Sequence, residues 1–337
     1  MVKYKHYNNM VGKNMQNVKK FLPAIIAVVL FVAVFAVCTV YDFQISLFLV
    51  DLKDGEYLSN NIFGRIFEVI GELPLYLFFA FVFAVLVRKF GNFKGGFICI
   101  SISVLCAIIS LVGYFLTFNE AFTYIIEYVG LEEFFKSVIY EELAYVLLSA
   151  LCYFITFKVV NKFSSSTINA LTAFAIVVIV TGVVSQVSTK IIKGFAGRAR
   201  YRMMHLVTTL TGEDAFSYYT PWYAFNPSAK VFDEWLLLGV PKNGFNSFPS
   251  GHSSASAMCV VLFMLPTLFS SLHNFKGKAI CYGIAIIFPL TVAVSRVVVG
   301  AHFMTDVLAG LFITYITYFI VVAIFKRTKL YKTLTER

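Results

Sequence analysis

Long apolar runs separated by short polar punctuation make up most of the chain. Eight of them reach or approach spanning length, at 21–41, 73–87, 95–118, 143–160, 167–189, 253–272, 279–299 and 303–325. About 20 apolar residues in a helix cross a ~30 Å hydrocarbon layer, so most of these runs suffice alone. The second and fourth are short and draw on their flanks. The pattern predicts an all-α, polytopic helical membrane protein, a bundle of about eight transmembrane spans. The first run follows a basic stretch, MVKYKHYNNMVGKNMQNVKK, and so resembles the front of a signal peptide. Its apolar part is too long and has no small-residue cleavage site, which predicts an uncleaved first span. Two further segments, 41–72 and 119–142, mix apolar with acidic residues. They read as short interfacial helices whose acids form a solvated face.

Composition agrees with this and narrows it. Of 337 residues 59% are hydrophobic and only 14% charged, with a mean hydropathy of +0.80. A soluble chain carries nearer a quarter charged residues. The 37 Phe, 20 Gly and 8 Pro exclude collagen-like and disordered classes. All six cysteines (Cys38, Cys99, Cys106, Cys152, Cys259, Cys281) lie in apolar stretches without metal-ligand spacing, so neither a disulfide framework nor zinc is expected.

A net charge of +10 would suggest nucleic acid in a soluble protein, but in a polytopic one it is first a topology signal. The N-terminus, the turns 88–94, 158–162 and 273–278, and the tail after Phe325 hold 17 of the 28 Lys and Arg residues and a single acid, Glu336. The remaining 17 of 18 acids fall on the other side. Positive charge stays in the cytoplasm, so both termini are expected there. The expected partner is the lipid bilayer rather than nucleic acid; nothing in the sequence sets an oligomeric state.

The segment 190–250 runs against that rule. It falls on the outer side, yet Lys190, Lys193, Arg198, Arg200 and Arg202 crowd into thirteen positions. The cluster suits either an interfacial patch facing anionic headgroups or a bound phosphate. The segment ends in Gly-Phe-Asn-Ser-Phe-Pro-Ser-Gly-His at 244–252, just before the sixth span. Pro249 and Gly251 limit where a helix can start, Ser250 can cap it, and its first free amides would favour an anion. The seventh span returns to the same side near Ser295 and Arg296, and the eighth starts near His302 with Asp306 four residues on. That spacing puts the pair on one helical face, where the carboxylate can accept a hydrogen bond from one ring nitrogen and leave the other basic. A polar pair is costly in a membrane and favours a functional reading. His252 is a second imidazole at the same depth. His205 has no partner at a telling spacing and His6 and His273 fall on the cytoplasmic side, so all three read as ordinary polar residues.

The pieces Lys193-x6-Arg200, Pro249-Ser-Gly-His252 and Ser295-Arg-x5-His302-x3-Asp306 resemble the three-part phosphatase motif of the type 2 phosphatidic acid phosphatase (PAP2) superfamily. That group includes bacterial undecaprenyl-diphosphate phosphatases, glucose-6-phosphatases and vanadium-dependent haloperoxidases. Gly300 and the run Asp306-Val-Leu-Ala-Gly310 are also similar. The likeness covers roughly 167–325, and more loosely 41–74. One position departs from it: Tyr201 stands where the family's first motif usually has proline, which leaves Arg198 or Arg202 as substitutes for Arg200.

The resemblance implies a PAP2-like bundle and a phosphatase that works without a metal or other cofactor. It implies His302 as nucleophile forming a phosphohistidine, Asp306 orienting it, and His252 as the proton donor that later helps activate water. Lys193, Arg200 and Arg296 would clamp the phosphate, with Ser250 and the Gly251 amide completing the cradle. No carboxylate grouping suited to a divalent ion is expected beside them. The substrate would be an amphiphilic, phosphate-bearing lipid such as phosphatidic acid, phosphatidylglycerophosphate or undecaprenyl diphosphate, met at the extracytoplasmic face of a bacterial cytoplasmic membrane. Trp222, Tyr218, Tyr219 and Tyr223 either seat that lipid or simply anchor their loop. A lipid-linked phosphotransferase would use the same residues, and a transporter would spread its polar residues across the bilayer. The chain divides into an N-terminal membrane region (1–166), a PAP2-like core (167–325) containing the outer loop 190–250, and a basic tail (326–337).

Overall fold

The computed structural model describes residues 2–52, 61–91, 96–130, 138–224 and 231–335. Among them the regular elements are all helical: α1 (Val2–Leu49), α2 (Ile62–Ile70), α3 (Leu73–Gly91), α4 (Gly96–Val129), α5 (Val138–Asn161), α6 (Ser165–Ala196), α7 (Tyr201–Thr211), α8 (Phe232–Leu237), α9 (Gly251–Ser256), α10 (Leu265–Leu268), α11 (Phe275–Val298), α12 (Met304–Phe325) and α13 (Lys329–Thr335), with short 3₁₀ turns between some of them. Among the described residues eight helical stretches are long and apolar enough to cross a membrane, as the apolar runs predict. Val29, Leu105, Leu151, Ile191 and Ile287 all project outward from these stretches, exposed on the bundle surface. Water would penalise so much apolar surface, whereas lipid makes it the natural exterior of a membrane protein.

Local sequence sets the ends of the helices. Ser164 caps α6 by accepting from Thr167 N at 3.2 Å, and Asn274 caps α11 by accepting from Gly277 N at 2.8 Å. The Ser250 hydroxyl accepts from Ser253 N at 3.3 Å and starts α9 where the Pro-Ser-Gly sequence predicts. Gly300, at φ +64°, makes the tight return from α11 toward α12. Buried Val82, Phe174, Val177, Met258 and Val261 knit α3 and α6 to the sixth span.

The segments flanking the spans differ from the sequence reading. The stretch 119–129 is no separate interfacial helix, because it continues α4 without a break. α2 is the short helix expected before the second span, while 53–60 and 131–137 lie outside the described residues. α6 continues to Ala196 and carries Lys193 in its last turn, so the outer segment starts later than 190. That segment is itself folded: Tyr201, Met203, Met204, Trp235 and Phe245 form a small core with Phe303. The acids also depart from a solvated face, since Asp42 and Glu68 are buried. α1 leaves helical geometry at Tyr41, directly before Asp42.

Candidate active site

The polar groups of the third sequence motif come first, because everything else is arranged around them. His302 lies in the turn before α12, and Asp306 lies in that helix's first turn. The i, i+4 spacing therefore does not act as it would within a helix. The Nδ1 of His302 stands 3.7 Å from Asp306 Oδ2 but 2.7 Å from the carbonyl oxygen of Ser247. A carbonyl can only accept, so Nδ1 carries the proton and the lone pair of the neutral ring is on Nε2. Burial above all holds the His302 imidazole far below the usual histidine range, at about 3, with the nearby carboxylate working against that shift.

Asp306 is fully occupied elsewhere. Its Oδ1 accepts from Arg198 Nη1 at 2.6 Å, and its Oδ2 accepts from Phe303 N at 2.8 Å and from the Ser247 hydroxyl. Ser247 thus touches both members of the pair: its hydroxyl meets Asp306 and its carbonyl meets His302. The carboxylate anchors the loop that fixes the imidazole, a longer route than the direct bond expected from spacing.

Arg198 is buried at the centre of a second carboxylate contact. Nη2 donates to Asp42 Oδ2 at 2.8 Å, Nε donates to Thr220 O at 2.9 Å, and Nη1 also reaches Thr305 Oγ1 at 3.1 Å. The guanidinium lies 4.0 Å from the Phe303 ring centre. Asp42 accepts in turn from Thr305 N at 2.9 Å. Arg198 is thereby committed to holding α1, the 198–220 segment and α12 together.

The remaining groups meet at a cavity of about 270 Å³ at one end of the bundle, with Glu68, Tyr124, Arg200, Arg202, His252, Arg296 and His302 among the residues lining it. Arg296, in the last turn of α11, donates to Glu68 Oε1 at 2.8 Å, and Tyr128 also donates to Glu68. Its Nε and Nη2 are buried without a hydrogen-bond partner among the described residues. His252, in the first turn of α9, has Nδ1 3.0 Å from Glu72 Oε1 and Nε2 3.3 Å from the Tyr124 hydroxyl. Arg200 occupies the position just before α7, without a capping side-chain bond, and Tyr201 is that helix's first residue, a position at which proline is also well tolerated.

Lys193, Ser250 and Gly251 stand beside this cavity rather than in its wall. A Cβ on Gly251 would lie 3.6 Å from Lys193 Nζ and 3.8 Å from Glu72 Oε1, which puts both charges at the start of α9. Ser250 is buried, accepting from Ser253 and donating its amide to Asp306 O at 2.9 Å. His205 lies outside the cavity wall, His273 meets the Pro266 carbonyl at 3.1 Å, and the His6 side chain lies outside what is described. Of the loop aromatics, Trp222 donates to Thr39 Oγ1 and stacks on Phe248, and Tyr219 packs on Phe43 and Phe303, so these two fasten the loop to the bundle. Tyr218 and Tyr223 are exposed.

Sequence reasoning missed Asp42, Glu68 and Glu72. Each lies far along the chain from the cation it meets, and no spacing rule connects them. It also expected no carboxylate grouping, whereas Glu72, Glu120 and His252 bring one ligating atom each within 4.8 Å of one another. In that group His252 already directs Nδ1 at Glu72.

A family model described as PAP2 superfamily matches residues 170–329. Phosphatidylglycerophosphatase B of Bacillus subtilis (strain 168) is 37% identical over 100 residues, covering 27% of this chain and 48% of that protein. The chain thus spans about half the length of the curated relative it matches. No solved structure matches. Asp42, Glu68 and Glu72 all lie ahead of the matched segment.

Proposed function

From the match of residues 170–329 to the PAP2 superfamily model and the likeness to a phosphatidylglycerophosphatase, we propose that the chain is a membrane lipid phosphatase of that family acting through a phosphohistidine. The observation that carries the reading is the His302 ring: its Nδ1 is bonded to the Ser247 carbonyl, its Nε2 keeps the lone pair, and it borders the same cavity as His252, Arg200 and Arg296. Phosphoryl transfer asks chiefly for position and for neutralised charge on the phosphate oxygens. The unpartnered donors of Arg296 suit such an oxygen.

In the first step the P–N bond to His302 Nε2 forms as the P–O bond to the leaving group breaks, and His252 gives its Nε2 proton to the departing oxygen. In the second, water forms the new P–O bond as P–N breaks, and His252 takes the water's proton. Lys193, Arg200 and Arg296 hold the phosphate, with Ser250 and the Gly251 amide at the helix start behind them. Asp306 steadies His302 through the Ser247 loop. The residues named need no metal.

The lipid tail stays in the bilayer while the phosphate enters the cavity at the extracytoplasmic face, both termini being cytoplasmic as the distribution of Lys and Arg suggests. The relative's name makes phosphatidylglycerophosphate the first substrate to try, with phosphatidic acid and undecaprenyl diphosphate beside it. Purified protein in detergent should release inorganic phosphate from at least one of these, and His302→Ala should abolish release at equal folded yield. A phosphorylated acceptor in place of free phosphate would make it a transferase, and an active His302→Ala would overturn the mechanism.

A further inference from the structure

Glu72 sits between α2 and α3, well outside the segment that matches the family, yet it is the acidic side chain nearest His252 among the described contacts. Both of its oxygens are engaged: Oε1 lies 3.0 Å from His252 Nδ1, and Oε2 accepts from the Tyr76 hydroxyl at 3.1 Å. Tyr76 is one turn further along α3, so the helix itself holds the carboxylate in place. On the far side, Nε2 of His252 is 3.3 Å from the Tyr124 hydroxyl, on α4, at the cavity wall. Lys193 and Glu120 complete the charged surroundings of Glu72; Arg200, Arg202, Arg296, Glu68, Glu120, Glu127 and His302 share the cavity with His252.

We propose that Glu72 is the positioning residue for His252, fixing its ring and tautomer so that Nε2 is the nitrogen that handles the proton. The inference rests on the hydrolase reading above, and it adds a residue from outside the matched segment to the machinery. A carboxylate on Nδ1 keeps that nitrogen protonated and directs the ring toward the cavity, and it gives a counter-charge to the imidazolium that forms in each cycle. Glu72 itself does not touch the reacting atoms.

A proton donor matters most when the leaving group is a poor one. A lipid monoester expels an alkoxide-like oxygen that must be protonated as it leaves, whereas 4-nitrophenyl phosphate expels a stable phenolate. The ratio kcat/KM reports events up to departure of the leaving group, so it isolates this step from the later attack of water. In the full-length protein in detergent, Glu72→Gln should lower kcat/KM for the lipid at least about tenfold while changing that for 4-nitrophenyl phosphate by less than about threefold. Tyr76→Phe, which keeps the carboxylate but frees one oxygen, should show the same selectivity at smaller size. It also serves if Glu72→Gln does not fold. An equal fall on both substrates, or no fall on either, would overturn the assignment and leave Glu72 a structural residue. Wild-type protein that releases phosphate from neither substrate would instead sink the hydrolase reading on which it stands.

Discussion

Arg198 Nη1 donates to Asp306 Oδ1 across 2.6 Å, and both side chains are sealed from solvent. The same guanidinium holds Asp42 at 2.8 Å, so one cation compensates two buried carboxylates. Arg200, two residues on, faces the cavity with Arg296 and both histidines. Neighbouring arginines therefore have separate tasks, one inside the scaffold and one at the proposed phosphate site.

That separation gives a prediction for paired variants. Arg198→Met strands Asp42 and Asp306 together in the interior, a loss on the order of 3–5 kcal/mol for a broken buried pair, and should lower folded yield and thermal midpoint sharply. Arg200→Met should fold but weaken inhibition by orthovanadate, a mimic of the pentavalent transition state, by about one to two orders of magnitude. Thermal unfolding and vanadate titration on the same preparations check both. An Arg198→Met protein that folds like wild type and loses only vanadate would exchange the two roles.

The acid limb of stability should carry the signature of His302. Its folded value is about 3, below the ~6.5 of an unperturbed histidine in the unfolded chain. On acidification the unfolded chain takes up that proton first. The contribution of the neutral ring is therefore whole above pH ~6.5 and drains away as the pH falls toward 3. The thermal midpoint in detergent should fall between about pH 6.5 and 4, and His302→Asn should fall less steeply over the same window. Parallel curves for the two proteins would contradict the buried neutral ring.

Gly310 is where α12 touches the turn that starts α9. A Cβ there would come within 2.4 Å of the Ser250 carbonyl oxygen, and that backbone cannot move aside without shifting His252. Gly310→Ala should cost roughly 1–3 kcal/mol of stability, in the range of other overpacked sites. Phosphatase activity should fall by more than this implies, because the two histidines move apart. Unaltered turnover with a lowered thermal midpoint would show the turn to be more tolerant than its packing.

The number of spans and their helical character were legible because lipid imposes a single rule on every one of them: about twenty apolar residues with self-satisfied backbone. The second and third motifs were legible for a related reason, since His252, Arg296, His302 and Asp306 sit at the ends of those spans and the alternation of directions brings them to one end. The bond between His302 and Asp306 was not legible. Spacing of four implies a shared face only within a helix, and here the helix starts at Met304, after the histidine. The carboxylates Asp42, Glu68 and Glu72 were read as a solvated face, because nothing local distinguishes an acid that faces water from one that will meet an arginine or histidine more than a hundred residues away.

Those three carboxylates also bear on how the protein is made. A ribosome delivers α1, α2 and α3 to the membrane well before α6, α9 and α11, so Asp42, Glu68 and Glu72 arrive ahead of Arg198, His252 and Arg296. An acid without its counter-ion is poorly tolerated inside hydrocarbon. The early helices must keep these side chains at the lipid–water boundary, or protonated, until the later ones dock against them. Expressed alone, residues 170–329 would have the reverse deficit: Arg296 and His252 would lack Glu68 and Glu72, while Arg198 would keep Asp306 but lose Asp42. The motif residues lie in the second half of the chain, but assembly of the proposed centre is an event of the whole polypeptide.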